Sequence, residues 1–401
     1  MGHYIAVVRR PLMLVPGLVI PLLHAAPAFA ADNVICVNTT GGGLCNQTVA
    51  TIPLAISAAG ANAVPDRILV GPGEYTDGPY HLDGTPHAVS LEGAGQGLTV
   101  LTLAPGASQA YVDADGAIVR DLSITMTGVT SDADEGLNAS ESTVIERVTI
   151  NGSGLSNATG LHIQDSTASD VQVLVATTGG NRGVYSEGGT SIVGGTIVGG
   201  SAYELSEPGA VDTLSLLRIR GASAGVTLDQ GTVDIDNSVI DLGTGDGTGL
   251  QAANFNAGPS PKTIQANHVT IVGGGAGSRG VWAYAATPTV KTTATVVLTN
   301  SIISGPETSI AVEADNNGSQ AGDSTATATV SYTDADLSDA AVTIGPTARA
   351  GSPRARATST SPPASSTPRA PTTGWWRVHR WWTRATLPPG APRSTCRGPL
   401  V

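Results

Sequence analysis

The chain has 401 residues, among them 51 Gly and only 2 Phe, with 13% charged residues and a formal net charge of -12. This mix excludes a broad aromatic core and favours short strands of Val, Ile and Leu joined by tight turns. Every Asp and Glu falls between Asp32 and Asp339, so the body repels phosphate backbones and no nucleic-acid partner is expected for it, whereas neutral sugars, cations or a basic partner suit it better.

Residues 1–30 combine Arg9 and Arg10, the apolar run PLMLVPGLVIPLL and the small-residue ending AFA, the three parts of a secretory signal peptide. The mature chain is expected to begin near Ala31. His24 and two prolines interrupt the apolar run, and no later stretch reaches the ~20 apolar residues that a membrane span needs. The expectation is a secreted protein, extracellular or held at the cell surface, without a membrane span.

Residues 31–65 suit an N-terminal cap. Cys36 and Cys45 bracket VNTTGGGL and are expected to pair as a disulfide outside a reducing compartment, two separate buried thiols being the alternative. Cys396 has no evident partner. Within residues 46–63 a short amphipathic helix is expected, with Thr48 as its N-cap, Pro53 in an early turn and Ile52, Leu54 and Ile56 as its apolar surface.

From residue 66 to 346 the sequence repeats. The motif Gly, apolar, variable, apolar starts at Gly136, Gly160, Gly183, Gly225, Gly249 and Gly280, and YELS from Tyr203 fills the one double interval. Alternating runs such as TVDID and HVTIV follow the motifs. Short strands at this spacing, bounded by Gly, Asn and Ser, indicate an all-β solenoid, and the 3.6-residue periodicity of a helical solenoid is absent.

Stacked coils turn each repeat position into a column. Leu161 and Ile163, Val226 and Leu228, Val281 and Ala283, and Ile310 and Val312 are expected to face inward, as are Val148, Ile150, Val171, Val173, Leu217, Ile219, Val269 and Ile271. The residues between the first set then face solvent in two rows. One row reads Asn138, His162, Tyr185, Glu204, Thr227, Gln251, Trp282, Ala311. The other reads Ser140, Gln164, Glu187, Ser206, Asp229, Ala253, Tyr284, Glu313.

Aromatic rings beside carboxylates and amides suit carbohydrate, because sugar C–H faces pack on rings while hydroxyls need directional polar partners. Tyr185, Trp282 and Tyr284 are the candidate ring contacts, with Phe255 in a loop beside the row. Arg182 and Arg279 directly precede Gly183 and Gly280, where either can meet an acidic sugar. For catalysis, Glu187 and Asp229 stand two coils apart, about 10 Å between backbones at this stacking, with Glu204 diagonal to both. Side chains can bring such carboxyls into the range of about 6.5–9.5 Å used by inverting glycosidases. Solvated surface carboxylates are the plainer alternative for so acidic a body.

Acidic turns such as DADG at 113–116, DADEG at 132–136 and EADNNGSQAGD at 313–323 cluster oxygen atoms without the spacing of a known calcium loop. No cofactor is therefore expected, Ca²⁺ being the one ion these turns suit. His162 lacks a second His or Cys in register, which argues against zinc.

With the repeat, and with DRILVGPGEYTDGPYHLDGTPHAVSLEGAGQGLTVLTL at 66–103, the chain resembles the right-handed parallel β-helix (pectin lyase-like) superfamily over roughly residues 34 to 340. The resemblance implies a right-handed parallel β-helix with an N-terminal capping helix. It also implies a ladder of stacked Asn side chains at the turn after the second strand, which Asn237 and Asn300 match by spacing, with Asn267 one residue out of step. The paired Asp and Gly-His-Gly of polygalacturonases are missing from the outward rows, and Arg218-Ile219-Arg220 falls on the wrong strand to replace their Arg-Ile-Lys. The acidic cluster of pectate lyases has no counterpart beside Arg182 or Arg279. The expected function is thus binding of polysaccharide or another surface partner; a lyase or glycoside hydrolase of acidic polysaccharide using Glu187, Glu204 and Asp229, and a structural adhesin, are the alternatives.

After residue 346 the composition turns to Arg, Pro, Ser, Thr and Trp without a single acidic residue. Residues 347–401 fit a disordered basic tail, a separate aromatic element or a shifted reading frame.

Overall fold

A computed structural model describes residues 33–39, 44–61, 65–82, 89–103, 111–127, 135–178, 180–254, 260–286, 292–315, 324–336, 341–344 and 354–360. The expected signal peptide, Phe255 and residues 361–401 lie outside them. The described strands pair in parallel with the strands one coil away, as in Thr159–Ile163 on Arg182–Ser186 and Thr248–Asn254 on Arg279–Ala286. The architecture is the expected parallel β-helix with three faces.

One coil shows how the faces arise. Thr159–Ile163 belongs to the first sheet, and Thr167–Val175 then supplies the second and third by bending at Asp170, whose φ is 52°. Asp121, Arg147, Gly194, Leu216, Asn237, His268, Asn300 and Tyr332 make the same corner in the other coils, with φ between 48° and 75°. Asn and Asp tolerate this left-handed conformation better than most residues, which accounts for the recurring Asn. The implied side-chain ladder forms by a different path. Asn300 donates to Asn267 Oδ1 at 3.0 Å and Asn267 donates to Asp236 Oδ1 at 2.9 Å, so Asn267 carries the connection although His268 occupies the corner itself.

The core consists of stacked columns. Ile124, Ile150, Val173, Ile197, Ile219, Ile240, Ile271 and Ile303 run in register up the third sheet, none more than 5% exposed. This column explains the repeating glycine. A Cβ on Gly160 would meet Val173 at 2.4 Å, one on Gly225 would meet Ile240 at 2.5 Å, and one on Gly280 would meet Ile303 at 2.6 Å. The chain enters the first sheet pressed against the third-sheet column, where a side chain has no room. The inward residues expected from the sequence, including Leu161, Ile163, Val281 and Ala283, are buried.

The N-terminal segment differs in detail from the expected cap. Asn33–Val37 already pairs in full register with Asp66–Val70, so the solenoid begins there. Cys36 and Cys45 form the disulfide, with Cα atoms 5.7 Å apart. Thr48 is not a helix cap, because Gln47–Val49 is drawn into a short strand against Ile35–Val37. The helix runs from Ile52 to Ala59, capped by Thr51, whose Oγ1 accepts the Leu54 N–H at 3.3 Å. It buries Ile52, Ala55 and Ala59, positions three and four residues apart, and this turns Leu54 outward to 54% exposure. At the other end, Arg354–Thr360 pairs along its whole length with Thr325–Ser331, so the parallel ladder passes the boundary expected at residue 346. No helix among the described residues is long and apolar enough to cross a membrane.

Candidate functional site

The first sheet positions the candidate residues as the sequence predicts. Asn138, His162, Tyr185, Glu204, Thr227, Gln251, Trp282 and Ala311 are consecutive partners along one row. Ala253, Tyr284 and Glu313 are partners along the next. Glu135, Thr159 and Arg182 begin a third row on the opposite side, on which Thr248 and Arg279 also stand. Trp282 and Tyr284 both face outward, half-buried, from one strand.

The three rows assemble two similar stations. At the first, the Arg182 guanidinium carbon lies 4.9 Å from the centroid of the Tyr185 ring, and its Nε donates to Glu204 Oε2 at 3.0 Å. At the second, the guanidinium carbon of Arg279 lies 4.5 Å from the Trp282 ring centroid, with Nη2 3.9 Å from Glu313 Oε1. Guanidinium and ring thus occupy matching places, and a carboxylate comes from the following coil each time, Glu204 over Tyr185 in the ring's own row and Glu313 over Tyr284 in the next row. Tyr284 extends the second station, its ring 5.2 Å from Trp282 at 39°. Tyr185 and Trp282 are four coil steps apart along their row, about 19 Å at about 4.8 Å per coil.

The first station gathers His162 and Glu187 of the predicted rows with Glu135, which the sequence did not single out. His162 packs on Tyr185 with centroids 5.1 Å apart, donates from Nδ1 to Glu135 Oε1 at 2.9 Å, and has Nε2 3.7 Å from Glu187 Oε2. Burial alone would lower the imidazole pKa, but Glu135 and then Glu187 outweigh it, and the net shift is upward. A cavity of about 240 Å³ lined by Asn157, Thr159, Gly180 and Arg182 opens beside it.

The three proposed catalytic carboxylates stand on neighbouring coils, but each has its own basic neighbour. Glu187 faces His162 and Glu204 accepts from Arg182. Asp229 feels the charge of Lys262 from the following coil. Burial raises the pKa of Glu204, with Arg182 opposing and Asp229 adding to the rise. Asp229 is raised by burial against the pull of Lys262 and Arg182. Lys262 is 1% exposed, and burial brings its pKa down to about 8 against the opposing charge of Asp229.

Glu135 had a usable signal in the sequence, since it precedes Gly136 as Arg182 precedes Gly183 and Arg279 precedes Gly280. Lys262 had none, because it follows a loop of variable length that hides its register. The expected acidic turn at 113–116 directs Asp113 to neighbours within the sheet: Asn138 donates to its Oδ1 at 3.0 Å, and His81 Nδ1 lies 3.7 Å from its Oδ2.

No family model matches the chain and no curated protein matches it. Among solved structures it is similar to pectin methylesterase from Erwinia chrysanthemi, at 15% identity and a TM-score of 0.37, over 53% of this chain and 80% of that one. It is also similar to the A-module of a mannuronan C-5 epimerase of Azotobacter vinelandii, at 16% identity and a TM-score of 0.37, over 77% of this chain and 94% of that one. Likenesses of this size assign no activity to the chain.

Proposed function

We propose that the chain is a secreted polysaccharide-binding protein whose binding face is the outward side of the first sheet. The observation that carries this reading is the repetition of a guanidinium over an aromatic ring in the same register at Arg182 and again at Arg279, each with a carboxylate supplied by the following coil. A ring offers a surface to sugar C–H groups, while a guanidinium and a carboxylate offer a donor and an acceptor to hydroxyls. Two such units about 19 Å apart suit an extended glycan chain lying along the rod rather than a single sugar. Thr227 and Gln251 provide polar groups on the row between them.

Retention on a panel of immobilised polysaccharides tests this. Trp282→Ala combined with Tyr284→Ala is expected to abolish retention on whichever polymer the parent chain binds, with the thermal transition little changed. Equal retention by the double variant removes the proposal. Assaying the same panel for new reducing ends or unsaturated products reports whether Glu187, Glu204 and Asp229 add catalysis to binding.

A further inference from the structure

Lys262 is an anomaly in this core. It starts the strand Lys262–Asn267, shares the inward alternation of Ile264 and Ala266, and is 1% exposed. Its Nζ has no hydrogen-bond partner among the described residues. Buried amines are ordinarily hydrogen-bonded or paired, so an unpartnered one calls for a physical explanation. Its backbone partner on the preceding coil is Gly231, two residues beyond Asp229. The lysine stem therefore starts over a position without a side chain, at the corner where Asp229 leaves the first sheet.

We propose that Lys262 and Asp229 become joined by a side-chain amide bond that staples two successive coils. The two groups suit that chemistry. A lysine desolvated in a pocket is an activated nucleophile when its nitrogen is neutral, and burial shifts Lys262 in that direction. A carboxyl is attacked in its protonated form, and burial shifts Asp229 in that direction. Nζ attacks Cγ of the Asp229 carboxyl, a C–N bond forms, the C–OH bond breaks, and the hydroxyl leaves with a proton from nitrogen as water. No oxidant or co-reactant enters. Asp229 acts on Lys262 by charge without a hydrogen bond, so the side chains must close the remaining gap, a swing that the flexible four-carbon stem of lysine provides. The amide replaces an unpartnered buried amine and a desolvated carboxyl by one neutral group, whether or not the first sheet binds sugar.

The chain contains only two lysines, Lys262 and Lys291, which makes the test direct. The purified full chain is unfolded, reduced and cut with a protease specific for lysine, and the fragments are weighed by mass spectrometry. The expected result is one fragment that ends at Lys291 and holds Asp229 and Lys262 in an internal loop, lighter by one water molecule than the same linear sequence, with no cleavage after Lys262. Cleavage after Lys262 with full-mass fragments overturns the proposal, as does a water loss that persists in Asp229→Ala. The parent chain alone gives the answer, so the outcome does not depend on whether a variant folds.

Discussion

Residues 182–186 read Arg-Gly-Val-Tyr-Ser and residues 279–283 read Arg-Gly-Val-Trp-Ala, yet the two stations they build differ in what surrounds the guanidinium. Arg182 donates to Glu204 at 3.0 Å and has His162, Glu135 and Glu187 gathered about its tyrosine. Arg279 stands 3.9 Å from Glu313 and has a second ring, Tyr284, next to its tryptophan. Parallel register fixes where guanidinium and ring meet. The coils before and after determine whether the station is dominated by charge or by aromatic surface. The first station is therefore expected to respond to pH and salt, the second to loss of apolar area.

The largest expected effect tests what the stations have in common. Gly183→Ala places a Cβ 2.5 Å from Ala202 O and 2.8 Å from Ile197 Cγ2, and Gly280→Ala places one 2.6 Å from Ile303 Cγ2. Each is expected to destabilise by on the order of 2–3 kcal/mol, the cost of overpacking a filled core. Equal losses, read from chemical denaturation, show that both stations rest on the same column; an unchanged midpoint in either separates them.

A smaller effect separates the carboxylates. The Glu204 side chain is 14% exposed and bonded to Arg182, so Glu204→Gln is expected to cost about 1–3 kcal/mol. Glu313, 25% exposed and at longer range, should give less than about 1 kcal/mol in Glu313→Gln. If the two substitutions cost the same, the first station is not the more tightly ion-paired of the pair.

The third difference is in pH response. His162 has a folded-state pKa above its ordinary 6.5. Its contribution to stability is therefore fully present below 6.5 and is lost as pH rises through the higher folded value. Stability should fall across that window in the parent chain and lose this component in His162→Gln, while Arg279→Gln leaves it intact. An imidazole NMR titration of His162 at or below the ordinary value contradicts this account.

Much of this comparison was legible in the sequence because a stacked coil converts spacing into contact. The Gly motif predicted that Tyr185, Glu204 and Trp282 would share a row, and the inward columns followed from alternation. What escaped is what spacing does not encode. Thr48 suits a cap by residue type, but pairing of Gln47–Val49 with Ile35–Val37 moves the cap to Thr51. Spacing puts His162 on the outward row without a second metal ligand, but does not reveal its partners Glu135 and Glu187, which lie one coil to either side. Lys262 was hidden by the loop before it, since a change of loop length erases register along the chain while the coil restores it in space.

The smallest predicted effect bears most directly on the rings. The Arg279 guanidinium over Trp282, at 4.5 Å, is a charge on a larger and more electron-rich face than Arg182 over Tyr185, at 4.9 Å. Arg182 is also tied in the other direction by Glu204, which competes for its charge. A double-mutant cycle with Arg279→Met and Trp282→Leu is expected to give a coupling of about 0.5–1 kcal/mol, as for half-exposed cation–π pairs. The equivalent cycle with Arg182→Met and Tyr185→Leu should give less. A larger coupling at Tyr185 would mean that ring quality is subordinate to the carboxylates nearby, and would shift the expected sugar-contact energy from the tryptophan end of the sheet to the charged end.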